Sequence, residues 1–252
     1  MSWGAAEYGD QWAAVYDRTR MRSQAETDEA VDALARLSRG ARVLELGIGT
    51  GRLALPLAAR GLDVHGIDAS QAMVDQLRAK PGGDAIPVVI GDFADADADG
   101  RFDLVVLAFN TLFNLANQDA QCRCFANAAR HLTEGGAFVV EAFVPDMRRF
   151  DGDQTVRALD VGDLNVVLEI ARHDPVTQQV QSARVVIDDG AGIQVLPINI
   201  RYAWPSEIDL MARLAGLDLA ERWGGWSGEP FTRDSRSHVS VYRCGQATES
   251  LS

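Results

Sequence analysis

Short apolar blocks and longer amphipathic segments alternate along the first 150 residues. The apolar blocks predict buried strands at residues 43–46, 64–67, 87–90, 102–109 and 137–143. The segments between them have helical spacing and turn residues at their ends, at residues 26–37, 52–60, 71–79 and 119–132. Strands that alternate with helices of this length predict a parallel sheet with helices on both faces.

The pattern changes after residue 150, where β-branched residues dominate. Antiparallel strands are predicted at residues 166–170, 180–187 and 193–200, with a hairpin signal at Asp188-Asp189-Gly190. A helix (206–215) and two strands (217–222 and 239–243) follow. The predicted fold is α/β, a doubly wound Rossmann-like sheet of seven mostly parallel strands with a small antiparallel β insert.

This division predicts four parts of the chain. They are an N-terminal lid arm (1–25), a core formed by 26–150 and 205–244, a β-rich insert (151–204) that would serve the substrate, and a tail (245–252).

Charge and composition narrow the function. The net charge of −12, from 36 acids against 24 bases, disfavours nucleic acid and anionic membranes as partners. No apolar run approaches the ~18 residues of a membrane span, and the N-terminus lacks the features of a secretory signal. We therefore expect a cytoplasmic protein, monomeric or homodimeric. Cys122-Arg123-Cys124 is too tight for a typical zinc site and the four histidines are scattered, so no metal is expected.

A glycine-rich turn follows the first predicted strand, from Glu45 to Gly51. Glycines at 47 and 49 let a ligand approach the backbone without meeting a Cβ atom. Arg52 stands where a dinucleotide fingerprint would have its third glycine, which weakens a nicotinamide or flavin hypothesis. Glu45, just before the first glycine, favours a ligand with a cationic end.

Acidic residues follow the next two predicted strands. Asp68 comes at the place where this architecture binds ribose hydroxyls, although a helix-entry role is the alternative. Gly91-Asp92-Phe93 closes the third strand, where Asp92 could accept from an exocyclic amine and Phe93 could cover a flat base. Each signal is weak alone, but their order at successive strand ends is specific.

These motifs resemble the class I S-adenosylmethionine (SAM)-dependent methyltransferases. The resemblance covers residues 8–243 and runs through Glu-x-Gly-x-Gly-Thr-Gly, Gly-Ile-Asp-Ala-Ser-x-x-Met, Gly-Asp-Phe, Phe-Asp-Leu-Val and Gly-Gly-x-Phe-Val-Val. It implies SAM as cofactor, with a cofactor site formed by Tyr16, Glu45, Gly47, Gly49, Asp68, Ala69, Met73, Gly91, Asp92, Phe93, Ala108 and Asn110. Tyr16 would lie over the sulfonium, since a ring face attracts a cation. The alternative for Tyr16 is an apolar i, i+4 pair with Trp12 in an amphipathic helix.

The C-terminal third resembles a narrower group, the amino-sugar N-methyltransferases and the cypemycin-type peptide α-N-methyltransferases. Its motifs include Trp204-Pro-Ser-Glu207 and Gly228-Glu-Pro-Phe-Thr232. Acceptor contacts are predicted at strand ends and in the tail loop, at Phe113, Arg201, Tyr202, Trp204 and Trp226. The alternative for the tail tryptophans is hydrophobic anchoring of the last two strands.

Transfer of a methyl group from SAM depends chiefly on in-line positioning, so no catalytic residue is obligatory. Asn110 and His238 are the candidates, and Ser235 is a further possible proton acceptor. The predicted function is methyl transfer to a small molecule, at nitrogen first and oxygen next. The alternatives are a peptide α-N-methyltransferase, a SAM-binding protein without turnover, and a dinucleotide oxidoreductase.

Overall fold

The main sheet of this computed structural model has seven strands with helices on both faces. The structure describes residues 4, 6–18, 23–38, 42–162, 165–188, 190 and 192–245. The strands of this sheet are β1 (Arg42–Leu46), β2 (Asp63–Asp68), β3 (Val88–Ile90), β4 (Phe102–Leu107), β5 (Leu132–Phe143), β10 (Leu217–Trp223) and β11 (Ser237–Cys244). The helices of the chain are α1 (Glu7–Trp12), α2 (Gln24–Leu37), α3 (Ala54–Ala59), α4 (Gln71–Arg78), α5 (Gln118–His131) and α6 (Pro205–Leu214).

The strand order is β10-β11-β5-β4-β1-β2-β3; β11 runs antiparallel to both β10 and β5, and the other neighbouring pairs are parallel. The chain therefore winds outward from β1 to one edge, and then from β4 to the other. This order confirms the predicted doubly wound fold. It also brings the carboxyl ends of β1, β2, β3 and β4 together at one edge, where ligands of such sheets bind.

Local signals explain several helix boundaries. The Ser70 hydroxyl caps α4 by accepting from the Met73 N–H at 3.2 Å, as its position predicts. Ser23 and Glu26 form a capping box at the start of α2. Strand β5 begins at Leu132, five residues before the predicted start at residue 137. The early part of β5 pairs Leu132 with Phe102 beside a register shift, which an apolar pattern does not encode.

A second sheet lies between β5 and α6 in the chain. Its four antiparallel strands are β6 (Gln154–Val161), β7 (Asn165–Asp174), β8 (Gln179–Asp188) and β9 (Gly192–Arg201). Three of them were predicted. Strand β6 was missed because it is an exposed edge strand without a clear apolar alternation. Residue 189 of the predicted hairpin, and residues 19–22 of the arm, lie outside the described residues, as does the tail from residue 246.

The two faces of this second sheet differ in environment. Ala171 and Val180 are buried on the face toward the main sheet. Val156, Ile193 and Val195 are each at least 60% exposed on the opposite face. No helix among the described residues is long and apolar enough to cross a membrane.

The N-terminal arm joins the two sheets. Trp12 at the end of α1 is completely buried against Met73 of α4, with Leu196 and Ile198 of β9 packed around it. Its indole N–H donates to the Pro197 carbonyl at 3.1 Å. The arm is therefore fixed to both layers. Helix α1 ends at Trp12 and Tyr16 begins a separate 3₁₀ turn, so the continuous helix of the alternative for Tyr16 is not formed. Tyr16 still packs against the apolar cluster of Trp12, and Trp12 stacks on Tyr8 at 5.6 Å.

Candidate active site

The strand ends line a cleft that the arm covers. The residues of its wall come from the arm, the glycine-rich turn, the ends of β2 and β3, and a 3₁₀ helix after β4; they are Tyr8, Gly9, Tyr16, Gly47, Gly49, Asp68, Ala69, Met73, Phe93, Thr111 and Asn114. Seven of these eleven were predicted from the sequence.

The glycine-rich turn has a left-handed backbone at both of its first two glycines. Gly47 has φ +73° and Gly49 has φ +55°, a conformation that favours glycine. A Cβ atom at Gly49 would point into open space, with only the Gly47 carbonyl oxygen near it at 3.9 Å. A Cβ atom at Gly47 would lie 2.6 Å from the Thr111 methyl. Gly49 thus exposes its backbone to the cleft. The lack of a side chain at Gly47 lets the 3₁₀ helix Thr111–Asn114 pack against the glycine-rich turn.

Glu45 is a buried carboxyl group under this turn. It is 5% exposed, and one oxygen, Oε2, has no hydrogen-bond partner among the described residues. Burial and the nearby Asp68 raise the pKa of Glu45 from 4.5 to about 8, although the Ala54 N–H donates to it. An orphaned carboxylate oxygen at this place is well suited to receive a cationic group.

Asp68 ends β2 and fastens two loops. Its Oδ2 accepts from the Gly49 N–H at 2.7 Å, and its Oδ1 accepts from the Ser70 N–H at 2.8 Å. Burial raises the pKa of Asp68, while these backbone donors oppose the rise. A carboxylate oxygen can accept more than one hydrogen bond, so both oxygens still have capacity for a ligand hydroxyl. Asp68 therefore has both roles: it fixes the backbone at the start of α4, and it lines the cleft.

The end of β3 contributes an aromatic wall. Phe93 is 8% exposed and lies in the cleft wall beside Gly47, where a Cβ atom would lie 3.8 Å from the phenyl ring. The Asp92 carboxylate accepts from the Ala94 N–H at 2.9 Å and so shapes the loop that carries Phe93. A side chain at Gly91 would meet the Ala96 methyl at 2.9 Å.

The chain makes a strained turn directly after β4. Phe109 (φ +55°) and Asn110 (φ +64°) are consecutive non-glycine residues in the left-handed region. Such residues cost on the order of 1–3 kcal/mol each and need support from their surroundings. The Glu141 carboxylate accepts from the Phe109 N–H at 2.8 Å, and the Asn110 side-chain oxygen accepts from the Phe143 N–H at 2.7 Å. This turn holds Thr111 and Asn114 at the cleft.

A polar cluster fastens the arm to the glycine-rich turn. The Asp17 carboxylate accepts from the Thr50 hydroxyl at 2.7 Å and pairs with Lys80 at 2.6 Å. Burial raises the pKa of the adjacent Tyr16, which keeps its hydroxyl neutral. Earlier in the arm, on α1, the Asp10 carboxylate accepts from the Ser70 hydroxyl at 2.6 Å.

A second cavity, of about 450 Å³, lies beyond the end of β5. Its wall contains Phe143, Val144, Asp146, Met147, Arg149, Arg157, Val180, Tyr202 and Arg236. The Phe143 ring packs edge-on against the buried Phe113 ring at 4.7 Å, in the 3₁₀ helix that also carries Thr111 and Asn114. The 3₁₀ helix thus contributes Thr111 and Asn114 to the cleft and packs through Phe113 against Phe143 in the wall of the second cavity. Phe113 itself is fully buried and lines neither cavity, so its predicted direct contact with the acceptor is not seen. Trp204, which is 41% exposed, contacts the Tyr202 ring at 6.4 Å.

Arg201 was predicted to contact the acceptor, but its guanidinium is bound by other side chains of the protein. Its guanidinium donates to Gln121 at 2.5 Å, to Gln178 at 2.9 Å and to Glu207 at 2.7 Å, and the residue is 6% exposed. These contacts join β9 to α5 and α6. We therefore assign Arg201 to anchoring rather than to the acceptor.

Trp226, Ala108 and His238 are also buried, and they line neither the cleft nor the second cavity. Trp226 is 5% exposed and packs with Val239 and Val241, as the anchoring alternative expects. Ala108 lies in the same core cluster. His238 is fully buried in β11, with its Nδ1 atom 2.8 Å from the Ser240 hydroxyl oxygen. Burial lowers the pKa of His238 to about 4, so it is neutral near pH 7.

Sequence reasoning missed four residues of the cleft: Tyr8, Gly9, Thr111 and Asn114. Burial raises the pKa of Tyr8, whose ring stacks on Trp12. The one sequence signal for the contact between these two rings is the i, i+4 spacing of Tyr8 and Trp12. A Cβ atom at Gly9 would lie 2.4 Å from the Ser70 Cβ atom, so the small residue lets α1 reach the site.

Comparisons with known proteins agree with this geometry. A methyltransferase domain model matches residues 43–136. The cypemycin N-terminal methyltransferase of a Streptomyces species is 32% identical over 203 residues, covering 80% of this chain and 82% of the relative. The structure of the CcbJ methyltransferase of Streptomyces caelestis is 41% identical, with a TM-score of 0.89, covering 97% of this chain and 100% of the other. A dTDP-4-amino-2,3,4,6-tetradeoxy-D-glucose N,N-dimethyltransferase of Saccharopolyspora spinosa is 29% identical and covers 54% of each chain.

The doubly wound sheet and the cleft at its strand ends define a nucleotide-type ligand site. The chain belongs to the class I SAM-dependent methyltransferases, and SAM is its methyl donor. The oxidoreductase alternative and the binding protein without turnover are thereby set aside.

Proposed function

We propose that this enzyme transfers the methyl group of SAM to an amine nitrogen of a small-molecule acceptor. The observation that carries the proposal is the convergence of Gly49, Asp68 and Phe93 from three strand ends on one cleft. Glu45, in the strand that leads into the glycine-rich turn, adds a buried oxygen that has no hydrogen-bond partner among the described residues. Of the two relatives reported above, one is named an N,N-dimethyltransferase of an amino sugar and the other an N-terminal methyltransferase.

The residues of the cleft fit the parts of SAM. Glu45 would receive the cationic α-amino group, because its buried Oε2 lacks a partner among the described residues. Gly47 and Gly49 would bind the methionine backbone, and Asp68 would accept the ribose hydroxyls. Phe93 would cover the adenine, with Asp92 shaping its loop. Ala69 and Met73 would complete the wall.

The arm would close the site over the sulfonium. Tyr8 and Tyr16 contribute neutral rings to the wall, and a cation is attracted to a ring face. Asp17 holds this part of the arm to Thr50 and Lys80. Closure of this kind excludes water from the reacting atoms.

SAM supplies an activated methyl group on a positively charged sulfur. The task of the chain is then to hold the acceptor nitrogen in line and in its uncharged form. A nearby positive charge lowers the pKa of an ammonium group, so a dedicated base is not required. Asn110, which was a candidate catalytic residue, instead fixes the turn that carries Thr111 and Asn114. We therefore assign Asn110 to positioning.

The acceptor would enter from the second cavity. Phe143 in the wall of that cavity packs on Phe113 of the 3₁₀ helix that borders the cleft, and Tyr202 in the same wall contacts Trp204. We assign the insert, residues 151–204, whose strands form the second sheet, to the acceptor, and the main sheet to SAM. The arm serves both because Trp12 contacts α4 and β9.

A peptide N-terminus is the second candidate acceptor. The relative that covers most of this chain among the curated proteins reported above is an N-terminal methyltransferase at 32% identity. A peptide α-amine has the same chemistry as a small amine, and the half-exposed Trp204 offers a surface for further residues.

The test is an acceptor profile. The enzyme is incubated with SAM and with panels of amino sugars, small amines, alcohols and free peptides, and S-adenosylhomocysteine is quantified. Mass-spectrometric fragmentation then assigns the methylated atom. Methylation of small amines above peptides supports the first proposal, a peptide preference supports the second, and methylation confined to hydroxyl groups refutes both.

A further inference from the structure

The second cavity is lined by arginine side chains in a chain that is otherwise acidic. Arg149, Arg157 and Arg236 come from three different segments and meet at its wall. The whole chain carries a net charge of −12, so a local excess of positive charge needs an explanation.

The carboxylates beside these arginines do not neutralise all of the arginine charge. Asp146 is committed to Arg148, which donates to both of its oxygens at 2.8 and 2.9 Å. These hydrogen bonds lower the pKa of Asp146 to about 2. Arg236 approaches the same carboxylate only at 3.3 Å, with its side chain 77% exposed.

Arg149 and Arg157 share a single acid. Their nearest nitrogens lie 3.6 and 3.4 Å from the same Glu169 oxygen, which is too far for good hydrogen bonds. That Glu169 oxygen has no hydrogen-bond partner among the described residues. Within the same described part of the chain, neither guanidinium donates a hydrogen bond to a protein acceptor. The planar donor groups of both arginines are therefore available for a ligand.

Four arginines thus face two carboxylates, which leaves a local excess of two positive charges. Arginine is suited to carboxylates and phosphates, because its donors match two oxygens of such a group. Arg149 also lies over the Phe150 ring at 4.7 Å, which holds its guanidinium in place at the cavity.

We infer that the second cavity binds an anionic group of the methyl acceptor, either a carboxylate or a phosphate. The inference rests on the proposed function, in which the acceptor amine reaches the cleft past Phe113 and Phe143. The acceptor would then be an amine with an acidic group at its other end, held by Arg149 and Arg157.

The first experiment measures anion binding without turnover. Inorganic phosphate is titrated calorimetrically into the wild type, the Arg149→Gln/Arg157→Gln double variant, Glu169→Gln and a control, Arg233→Gln. Arg233 is 93% exposed and pairs only loosely with Asp234, at 3.9 Å, and it does not line the cavity, so the control removes one arginine charge outside the site. The double variant should weaken phosphate binding at least tenfold. Glu169→Gln should tighten it, because it removes the competing carboxylate, and the control should stay within twofold.

The second experiment uses matched acceptor pairs. Glycylglycine is compared with its C-terminal amide, and glucosamine 6-phosphate is compared with glucosamine. The wild type should have a KM at least tenfold lower for the charged member of one pair, and that pair identifies carboxylate or phosphate. The double variant should lose this preference and keep its activity on the neutral member.

The outcomes separate this inference from the proposed function. Equal KM values for charged and neutral acceptors, with no effect of the arginine substitutions, would refute the anion site and leave amine methylation intact. Phosphate binding that is lost in the double variant, in an enzyme that methylates no amine, would support the anion site and refute the proposed function. Weaker phosphate binding in Glu169→Gln would also refute the anion site.

Discussion

Replacing Glu45 with glutamine should stabilise the protein and weaken SAM binding at the same time. The substitution keeps the size of the side chain and keeps an oxygen for the Ala54 N–H, but it removes a buried charge. Because burial raises the pKa of Glu45 from 4.5 to about 8, the folded protein binds this proton more tightly than the unfolded chain does. The wild type therefore loses stability as the pH rises from about 4.5 to 8.

The magnitude follows from this shift. The free energy of unfolding of Glu45→Gln, relative to the wild type, should rise by up to about 1.4 kcal/mol per pH unit in this range. Between pH 5 and pH 8 the relative gain should be on the order of 3–4 kcal/mol. Above pH 8 the difference should become constant. Comparing pH values removes any constant packing cost of the amide.

SAM affinity should change in the opposite direction. A hydrogen bond to a charged group contributes roughly 1.5–3 kcal/mol, so Glu45→Gln should weaken SAM binding by about tenfold or more. Wild-type affinity should also rise with pH up to about 8, because the ligand cation needs the ionised carboxylate.

Urea unfolding from pH 5 to pH 9 and calorimetric SAM titration measure the two effects. The control is Glu134→Gln, the same chemical change at an exposed position of β5. A pH-independent stability difference would contradict the raised pKa. Unchanged SAM affinity in Glu45→Gln would show that the orphaned oxygen does not face the ligand.

Three further substitutions test other parts of the site. Asp68→Ala should weaken SAM binding at least about tenfold, measured by calorimetry, and a smaller loss would leave Asp68 a helix-entry residue. Trp12→Ala should lower the free energy of unfolding by roughly 3–5 kcal/mol, measured by urea unfolding. It should also lower SAM affinity and turnover together, because the arm contacts both sheets. An unchanged SAM affinity would contradict this coupling. Arg201→Gln should lower the unfolding midpoint and leave the acceptor KM of the folded enzyme unchanged, because the guanidinium is buried among Gln121, Gln178 and Glu207. A higher acceptor KM with unchanged stability would return Arg201 to the acceptor site.

The cofactor side of the site could be predicted from the sequence. Gly47, Gly49, Asp68 and Phe93 follow strands whose apolar runs are unmistakable, and the carboxyl ends of parallel strands meet at one sheet edge. The chain order of short motifs therefore sufficed to bring them together. The cleft in the structure contains all four.

The acceptor side could not be predicted in the same way. Arg201 looked available in the sequence, yet the packing of β9 on α5 and α6 gives its guanidinium three internal partners. His238 and Trp226 looked like loop or edge residues, yet the pairing of β11 with β5 buries the first and a core cluster encloses the second. Burial and partners depend on contacts between residues far apart in the chain, which a local pattern does not encode.

The tertiary structure alone decided where the arm and the arginines lie. No spacing in the sequence indicates that Trp12 reaches Pro197, because 185 residues separate them. Arg236 is far along the chain from Arg149 and Arg157, and it lines the same cavity only because the second sheet folds against the end of β5. The sequence by itself determined the fold and the methyl donor, since these depend on local motifs at strand ends. The acceptor site depends on how an irregular insert packs against that fold, and only the three-dimensional arrangement determines it.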